Sequence, residues 1–193
     1  MQSTFNKILH LGLIIFLQLN LSISAQDIKV PLEIQFALLP KVLLLEKTLS
    51  VQEEKIKIAI LYDSTIRSSI NVKEKIFSFI DDQRYKKDNS KFVYITLDLA
   101  NEVALSNLLI EHQLNAVYLT PLRSEHINQI SLECKKLKLI SFTGIEKYLD
   151  YGISILFDIK NKKPKITINM ESVKEEGASF SSYLLRLANI INN

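Results

Sequence analysis

The chain contains 193 residues, 47% of them hydrophobic and 23% charged, and carries a formal net charge of +3 at pH 7. This balanced charge excludes the strongly basic pattern of nucleic-acid-binding proteins, and the hydrophobic content excludes general disorder. A chain of this length buries enough surface to fold as one domain without a metal ion or a disulfide.

The first residues have the pattern of an export signal. Lys7 precedes an apolar run over residues 8–21, and small residues follow up to Ala25. The run is short for a bilayer span and is interrupted by polar side chains, with an uncleaved anchor as the alternative. We therefore predict a signal peptide over residues 1–25 and an exported, periplasmic domain over residues 26–193 whose mature chain does not span the membrane.

Residues 31–47 form a predicted helix that is apolar around most of its circumference. Such a helix has to be covered, and we expect it in the core, with contact to a partner as the alternative. Pro40 lacks a backbone N–H and crowds the preceding turn, so a kink or a break into two helices is predicted near Leu39.

From residue 56 onward, apolar runs alternate with amphipathic segments. The predicted strands cover residues 56–63, 91–98, 115–121 and 137–144. The predicted helices between them extend to about Gln83 and cover about 101–112 and 124–136. Such runs are typical of parallel strands that are buried on both faces and joined by right-handed crossovers.

Polar residues at the expected helix ends indicate caps. The candidates to cap the helix after the first strand are Asp63, Ser64 and Thr65. Ser124 is the candidate for the helix after the third strand. Residues 86–91 are polar and are predicted to form an exposed loop.

Beyond Gly144 the pattern becomes that of a hairpin. Two alternating segments, residues 152–159 and 164–170, flank the polar residues Lys160–Lys163, which predicts an antiparallel pair. Together the elements predict a single α/β domain. We expect a three-layer sandwich with a mainly parallel sheet of about four strands, which the C-terminal antiparallel hairpin extends.

The last residues predict two further helices. Ser172 and Glu175 have the spacing of a capping box, and Gly177 can end that short helix in the left-handed conformation. Ser181 is expected to cap a closing amphipathic helix that continues to Ile191.

Polar side chains follow three of the predicted strands at the edge where parallel strands end. They are Asp63, Ser64, Arg67, Thr120, Arg123, Ser124 and Thr143. Ligands of open parallel sheets bind beyond these ends, where the strand order reverses. Arginines, hydroxyls and helix N-termini suit a small anion or a polar partner loop. The alternative is that these residues only cap helices or face solvent.

The sequence contains no catalytic or metal-binding pattern. His112 and His126 lack the spacing of a zinc motif and are expected at the surface. Ser64 follows a strand but lacks the flanking glycines of a nucleophile elbow, so a hydrolase built on Ser64 or His126 is only an alternative. We predict no enzyme, no cofactor and no metal. Cys134 is the only cysteine and is expected to be a buried, inert thiol, an intermolecular bridge or a reactive thiol being the alternatives.

Residues 152–191 carry the features that connect the chain to a family. These features are Gly152, Ile166, Ile168, Asn169, Gly177, Ser181, Ser182, Leu184, Leu185, Leu187 and Ala188. In this order they resemble the C-terminal signature of the YfiR/HmsC-like periplasmic proteins. The likeness extends over about residues 30–191 and rests on structural positions, so it implies a fold more directly than an activity.

The resemblance implies a non-enzymatic periplasmic regulator, often a homodimer, with a membrane-bound signalling protein as its partner. The best-known relatives bind the external domain of an inner-membrane diguanylate cyclase and keep cyclic di-GMP synthesis low; a histidine kinase is a second type of expected partner. Well-studied members carry disulfides, which a chain with Cys134 alone does not form within itself. Binding of a small anion or polar solute at the strand ends is the alternative function.

Overall fold

The computed structural model describes residues 28–49, 54–100 and 105–192, so the predicted signal peptide lies outside the described residues. Its sheet has seven strands in the order β2-β1-β3-β4-β5-β6-β7. The strands are β1 (Ile56–Tyr62), β2 (Phe92–Asp98), β3 (Ala116–Leu119), β4 (Ile140–Thr143), β5 (Ile155–Lys160), β6 (Lys163–Asn169) and β7 (Asn189–Ile191). Strands β1 to β5 are parallel to one another. Strand β6 is antiparallel to β5, and β7 is parallel to β6.

Helices lie on both faces of the sheet. They are α1 (Leu32–Leu43), α2 (Arg67–Ile80), α3 (Gln83–Asp88), α4 (Leu105–Glu111), α5 (Ser124–Leu137), a 3-10 helix (Glu146–Tyr151), α6 (Met170–Glu175) and α7 (Ser182–Leu187). One core contains α1 and α2 side chains, and the other contains those of α4 and α5. The predicted α/β class with a mainly parallel sheet is confirmed, and the layers are three.

Strand β1 shows why its sequence is apolar throughout. Ile58 and Ile60 pack in the core on the α1 side, whereas Ala59 and Leu61 pack in the core on the α5 side. All four side chains are fully buried. A strand covered on both faces has no polar face to present, which is the pattern of a central parallel strand.

The predicted number of strands is wrong in two places. Strand β5, predicted as half of an antiparallel hairpin that extends the sheet, pairs in parallel with β4 through Phe142 and Thr143 and is therefore a fifth parallel strand. The predicted closing helix ends at Leu187, and residues 189–191 form β7 beside β6. Asn and Ile are poor helix formers and Ile favours strands, so pairing with β6 decides their conformation.

The hairpin itself is confirmed, with a shorter connection than expected. Strands β5 and β6 pair up to Lys160 and Lys163, leaving a two-residue loop of Asn161 and Lys162. Both loop residues have positive φ, of 53° and 60°. This is the backbone that two-residue hairpin loops require, because it matches the twist of the strands.

Several predicted caps are corrected. The N-cap of α2 is Ile66 and that of α5 is Arg123, neither with a side-chain cap bond, so Ser124 is the first helical residue and not the cap. The predicted capping box is also wrong, because Ser172 lies inside α6 and Asn169 caps it. A short polar side chain just before the first turn is the better acceptor for its N–H groups.

Other predicted helix ends and loops are confirmed or are shifted by a few residues. Ser181 caps α7, as predicted, and Gly177 adopts φ 75° after α6. Residues 86–88 belong to α3, which Asp82 caps, so the predicted loop over 86–91 is wrong in its first half. Cys134 is fully buried, as predicted. Burial, with Glu176 and Glu133 nearby, raises the pKa of its thiol and so disfavours the thiolate, the nucleophilic form.

Helix α1 continues through Pro40, so the predicted break into two helices is wrong. Proline leaves the carbonyl of Phe36, four residues earlier, without its helical donor. The hydroxyl of Tyr85 donates to this carbonyl at 2.9 Å and also lies 2.6 Å from the hydroxyl of Tyr94. A side chain of α3 therefore replaces the hydrogen bond that the proline removes.

This replacement predicts a coupling between Tyr85 and Pro40. Tyr85→Phe is expected to lower the free energy of unfolding by about 1–3 kcal/mol, because a buried carbonyl loses its donor. In a Pro40→Ala background the cost should be smaller, since the restored backbone N–H serves Phe36. Urea unfolding of the four proteins of this double-mutant cycle measures the coupling, and Tyr183→Phe, on an exposed ring, is the control. Equal costs in both backgrounds would contradict the interpretation.

Candidate functional site

The candidate site lies where the strand order reverses. Strand β1 has β2 on one side and β3 on the other, so the crossover from β1 to β2 and the crossover from β2 to β3 run in opposite directions across the sheet. The carboxyl ends of β1 and β3 therefore border the crevice in which open α/β sheets bind ligands. Helices α2 and α5 begin just beyond these two strand ends.

Asp63 follows β1 and is only 1% exposed. Its Oδ1 accepts hydrogen bonds from the backbone N–H of Thr65 at 2.8 Å and from the Thr65 hydroxyl at 2.5 Å. This is the local turn that aspartate favours after a strand. The carboxylate is therefore directed at its own loop, which explains why Asp63 does not cap α2.

A chain of buried hydroxyls joins the two strand ends. The backbone N–H of Asp63 donates to the Ser69 hydroxyl at 2.9 Å, and this hydroxyl lies 2.7 Å from that of Thr120. Thr120 in turn donates to the carbonyl of Leu61 at 2.9 Å. Ser69 therefore donates to Thr120. The hydroxyls of Ser69 and Thr120 tie α2 and the end of β3 to β1 and form the base of the site.

Two buried polar atoms at the site have no hydrogen-bond partner within the described residues. They are Oδ2 of Asp63 and Nδ1 of His126, which lie 3.7 Å apart. Nε of Arg123 is 4.0 Å from the same oxygen, and its guanidinium donates to the Thr65 hydroxyl at 3.0 Å. Leaving a buried acceptor unpaired is costly, so such atoms call for an explanation in terms of function.

The surroundings of Asp63 favour a bound group that is at least partly anionic. The first turns of α2 and α5 lack side-chain caps, so their backbone N–H groups keep their hydrogen-bonding capacity. Arg67 and Arg123 are exposed beside these turns. A ligand or partner group with one hydrogen to donate would satisfy Asp63 while its anionic part meets the arginine and helix N-termini.

The structure brings together part of the predicted set of site residues. Asp63 lies 4.0 Å from Nε of Arg123 and is linked to Thr120 through the Ser69 hydroxyl, whereas Arg67 and Ser124 are exposed at the starts of α2 and α5. Ser64, also exposed, has its backbone N–H bound to Asp98 Oδ1 at 3.0 Å. Thr143 is fully buried one strand further along, and its hydroxyl accepts from the Ile145 N–H at 3.1 Å. That these residues bind a ligand or partner stays a prediction.

Three contributors were absent from the predicted set of binding residues: Thr65, Ser69 and His126. His126, expected at the surface, directs a buried nitrogen at Asp63. It is the third residue of α5, and a helical side chain leans toward the N-terminus of its helix. The helix predicted over residues 124–136 already placed His126 in its first turn, but the sequence did not show that Oδ2 of Asp63 lies 3.7 Å from its Nδ1. His112 takes no part in this cluster.

Asp63→Asn is expected to leave the free energy of unfolding unchanged or to raise it by up to about 1 kcal/mol, because it removes a buried charge that lacks a full set of donors. Oδ1 of asparagine still accepts from Thr65. Asp98→Ala is the control: its carboxylate accepts from the N–H groups of Ser64 and Ala100, and its loss should cost about 1 kcal/mol. Urea unfolding of both variants measures this. A large loss in Asp63→Asn would show that the fold itself needs the carboxylate.

Within residues 28–49, 54–100 and 105–192, no three His, Cys, Asp or Glu side chains converge in a way that could hold a metal ion. No helix in these ranges has the length and apolar character needed to cross a bilayer.

Among the solved structures that share this fold are three bacterial proteins. One is the ABC domain in complex with L-Trp from Streptococcus pneumoniae, at 15% identity and a TM-score of 0.57. Another is a conserved domain protein from Vibrio cholerae O1 biovar El Tor, at 15% and 0.56. The third is the ligand-free, open structure of CD0873, a substrate binding protein with adhesive properties from Clostridium difficile, at 12% and 0.58.

These structures cover 83%, 83% and 85% of the present chain, whereas the chain spans 60% of each of them. At such low identity the likeness shows the fold alone. No curated protein matches the sequence. The YfiR/HmsC-like family model matches residues 48–189, which confirms the resemblance predicted from the C-terminal signature, and the chain belongs to the YfiR/HmsC-like family.

Proposed function

We propose that the protein is a periplasmic, non-enzymatic regulator that binds the external domain of an inner-membrane signalling protein. A diguanylate cyclase or a histidine kinase is the expected partner. The observation that carries this proposal is family membership over residues 48–189, because membership of the YfiR/HmsC-like family suggests a periplasmic regulatory protein. The family also suggests a homodimer, which analytical ultracentrifugation of the mature chain tests.

The docking surface that we propose is the carboxyl edge of the sheet at β1 and β3. Ser64, Arg67, Arg123 and Ser124 are exposed there around the buried carboxylate of Asp63. Uncapped helix N-termini and two arginines attract an acidic loop, and a hydroxyl or amide of that loop would donate to Asp63. A partner with an acidic, polar contact surface fits this edge.

Charge reversal tests the proposed edge. The double variant Arg67→Glu/Arg123→Glu is expected to weaken partner binding at least about tenfold, because like charges then face the acidic loop. Affinity purification from envelope fractions identifies the partner, and calorimetry with its external domain measures the loss. The matched control is Lys87→Glu/Lys174→Glu, two exposed lysines outside the edge. The proposal fails if no membrane signalling protein co-purifies and deletion of the gene leaves cyclic di-GMP levels and kinase output unchanged.

A second function, binding of a small anion or polar solute, is favoured by the unpaired atoms of Asp63 and His126. Two of the structures that share the fold are described as an L-Trp complex and as a substrate binding protein, which supports this function through the fold alone. A ligand at a hundred times its Kd should stabilise the protein by about 2.7 kcal/mol. Thermal-shift screening of amino acids, hydroxy acids, sugars and phosphate tests this. No response to any of them, with Arg67→Ala identical to the wild type, would contradict it.

A further inference from the structure

The β5–β6 hairpin carries a concentrated group of lysines, Lys160, Lys162, Lys163 and Lys165, which we term the lysine hairpin. Lys160 lies directly opposite Lys163, and Lys165 lies opposite Asp158. Because side chains alternate along a strand, Lys160, Lys163 and Lys165 share one face of the hairpin with Asp158. The positive charge is therefore concentrated on one face and not spread around the hairpin.

Little in the described chain neutralises this charge. None of Lys160, Lys162 and Lys163 forms an ion pair with a described residue, and all are exposed. The nearby carboxylate of Asp158 lies 3.9 Å from Nζ of Lys29. Lys165 donates to the backbone carbonyl of Leu187, so this contact also leaves its charge uncompensated.

The hairpin also breaks two local rules of strand stability. Lys160 and Lys163 are like charges placed directly across an antiparallel pair, which is destabilising. Lys162 adopts φ 60° at the loop position where glycine is strongly preferred. Because neither feature brings a packing gain at these exposed positions, we take them to be retained for a role outside the fold.

Exposed apolar side chains adjoin the lysine hairpin. Tyr183 and Leu187, which are 58% and 52% exposed, are four residues apart and lie on the same side of α7. Lys165 connects the two groups through the carbonyl of Leu187. An open concavity of about 650 Å³ lies beside this contact, lined by Lys160, Lys163 and Lys165 of the hairpin and by Ala188 and Asn189, which follow Leu187.

We propose that the lysine hairpin and the Tyr183–Leu187 face dock onto an anionic lipid bilayer. Lysines attract anionic headgroups, tyrosine is enriched at membrane interfaces, and a leucine beside them adds apolar area that enters the headgroup region. An acidic protein segment would use the lysines but would not require the exposed leucine and tyrosine. A lipid bilayer therefore accounts for both the lysine hairpin and the Tyr183–Leu187 face.

The position of the hairpin gives this contact a consequence for orientation. Strand β5 continues to Lys160, past Leu156, which pairs with the last residue of β4, Thr143. The hairpin thus projects from the carboxyl edge of the sheet, the edge that also carries Asp63 and Arg123. Docking through the lysines would turn that edge toward the membrane.

Co-sedimentation of the mature chain with vesicles tests the proposal without any partner protein. We expect binding to phosphatidylcholine vesicles that contain phosphatidylglycerol, loss of binding at high salt, and little binding to phosphatidylcholine alone. Lys162→Gln/Lys163→Gln should weaken binding about thirtyfold, at about 1 kcal/mol for each lysine. Tyr183→Ser/Leu187→Ser should also weaken it, and Lys86→Gln/Lys87→Gln on α3 is the control.

Three outcomes would overturn the proposal. They are no binding to anionic vesicles, equal binding to neutral vesicles, and unchanged binding by the Lys162→Gln/Lys163→Gln variant. The substituted side chains are exposed, so thermal unfolding should confirm that each variant remains folded. Capture of an acidic protein through the lysines without vesicle binding would also count against a lipid surface. None of these results depends on whether a signalling partner exists.

Discussion

Glu46→Gln is expected to lower the free energy of unfolding by about 3 kcal/mol or more, because one buried carboxylate accepts several backbone hydrogen bonds. Glu46 is 2% exposed. Its Oε2 accepts from the N–H groups of Thr48 and Leu49, both at 2.7 Å, and its Oε1 accepts from that of Ser179 at 2.9 Å. Glutamine has one acceptor oxygen, so its amide N–H₂ would face a backbone donor in either orientation.

The effect should be large because Glu46 connects distant parts of the chain. It follows α1 and pairs with Phe180 in an isolated antiparallel bridge. The N–H of Lys47 also donates to the carbonyl of Ser179. Loss of the carboxylate therefore loosens the junction between α1 and the segment that leads into α7.

Urea unfolding measures the loss, and Glu33→Gln is the matched control. Glu33 lies in the first turn of α1 with about half of its side chain exposed, 3.8 Å from Lys75. An exposed pair of this kind contributes little, so this control should change stability by less than about 0.5 kcal/mol. A Glu46→Gln protein as stable as the Glu33→Gln protein would show that the buried carboxylate does not hold the junction.

Glu46 also illustrates what sequence periodicity does not reveal. The buried strands were predictable because each apolar run records the two layers that cover it, as Ile58 and Ala59 do in β1. The role of Glu46 depends on Ser179, far away in the sequence. Nothing local distinguishes a glutamate that serves a distant backbone from one that faces solvent.

The same reasoning explains the errors at the C-terminus. Residues 184–191 contain apolar side chains at spacings that fit either a helix or a short edge strand. Residues 189–191 form the strand β7 because β6 offers them an unpaired edge. That edge exists only once β5 and β6 have joined the sheet, so a local pattern could not predict it.

The site was predictable to the extent that topology determines it. Parallel strands end at one edge, so Asp63 and Thr120 come together once β1 and β3 are neighbours. The direction of the Asp63 carboxylate, in contrast, depends on the conformation of the loop after β1. Asp63 turns back on Thr65 and does not cap α2, and this leaves its second oxygen facing His126 and Arg123.

A second large effect is expected in the dependence of stability on pH, through Glu176. This residue is 1% exposed, and its carboxylate accepts from the N–H of Ser141 at 3.1 Å and from the Ser141 hydroxyl. Burial raises its pKa to about 7 from the usual 4.5, although the serine hydrogen bonds and Lys135 partly oppose the shift. In the folded protein the carboxyl therefore holds its proton to near neutral pH.

The sign of the effect follows from which state binds the proton more tightly. Below the unfolded pKa of 4.5 both states are protonated, and the stabilisation is fully present. As the pH rises from there to about 7, the unfolded chain ionises first, so the free energy of unfolding falls. The loss over this window amounts to about 3 kcal/mol, and above it stability no longer depends on this group.

Glu176→Gln should remove this contribution, because the amide is neutral at every pH and retains an oxygen for the Ser141 N–H. The free energy of unfolding of variant and wild type is measured in urea at several pH values across this window. Subtracting one from the other removes the contributions of the titrating groups that both proteins share. That difference should change in favour of the variant by about 3 kcal/mol as the pH rises. The neighbouring Glu175→Gln, at a half-exposed side chain 2.7 Å from Lys135, is the control for a substitution at the surface beside Glu176. A constant difference for Glu176→Gln would mean that the carboxyl is already ionised in the folded protein, with the Ser141 hydrogen bonds and Lys135 outweighing its burial.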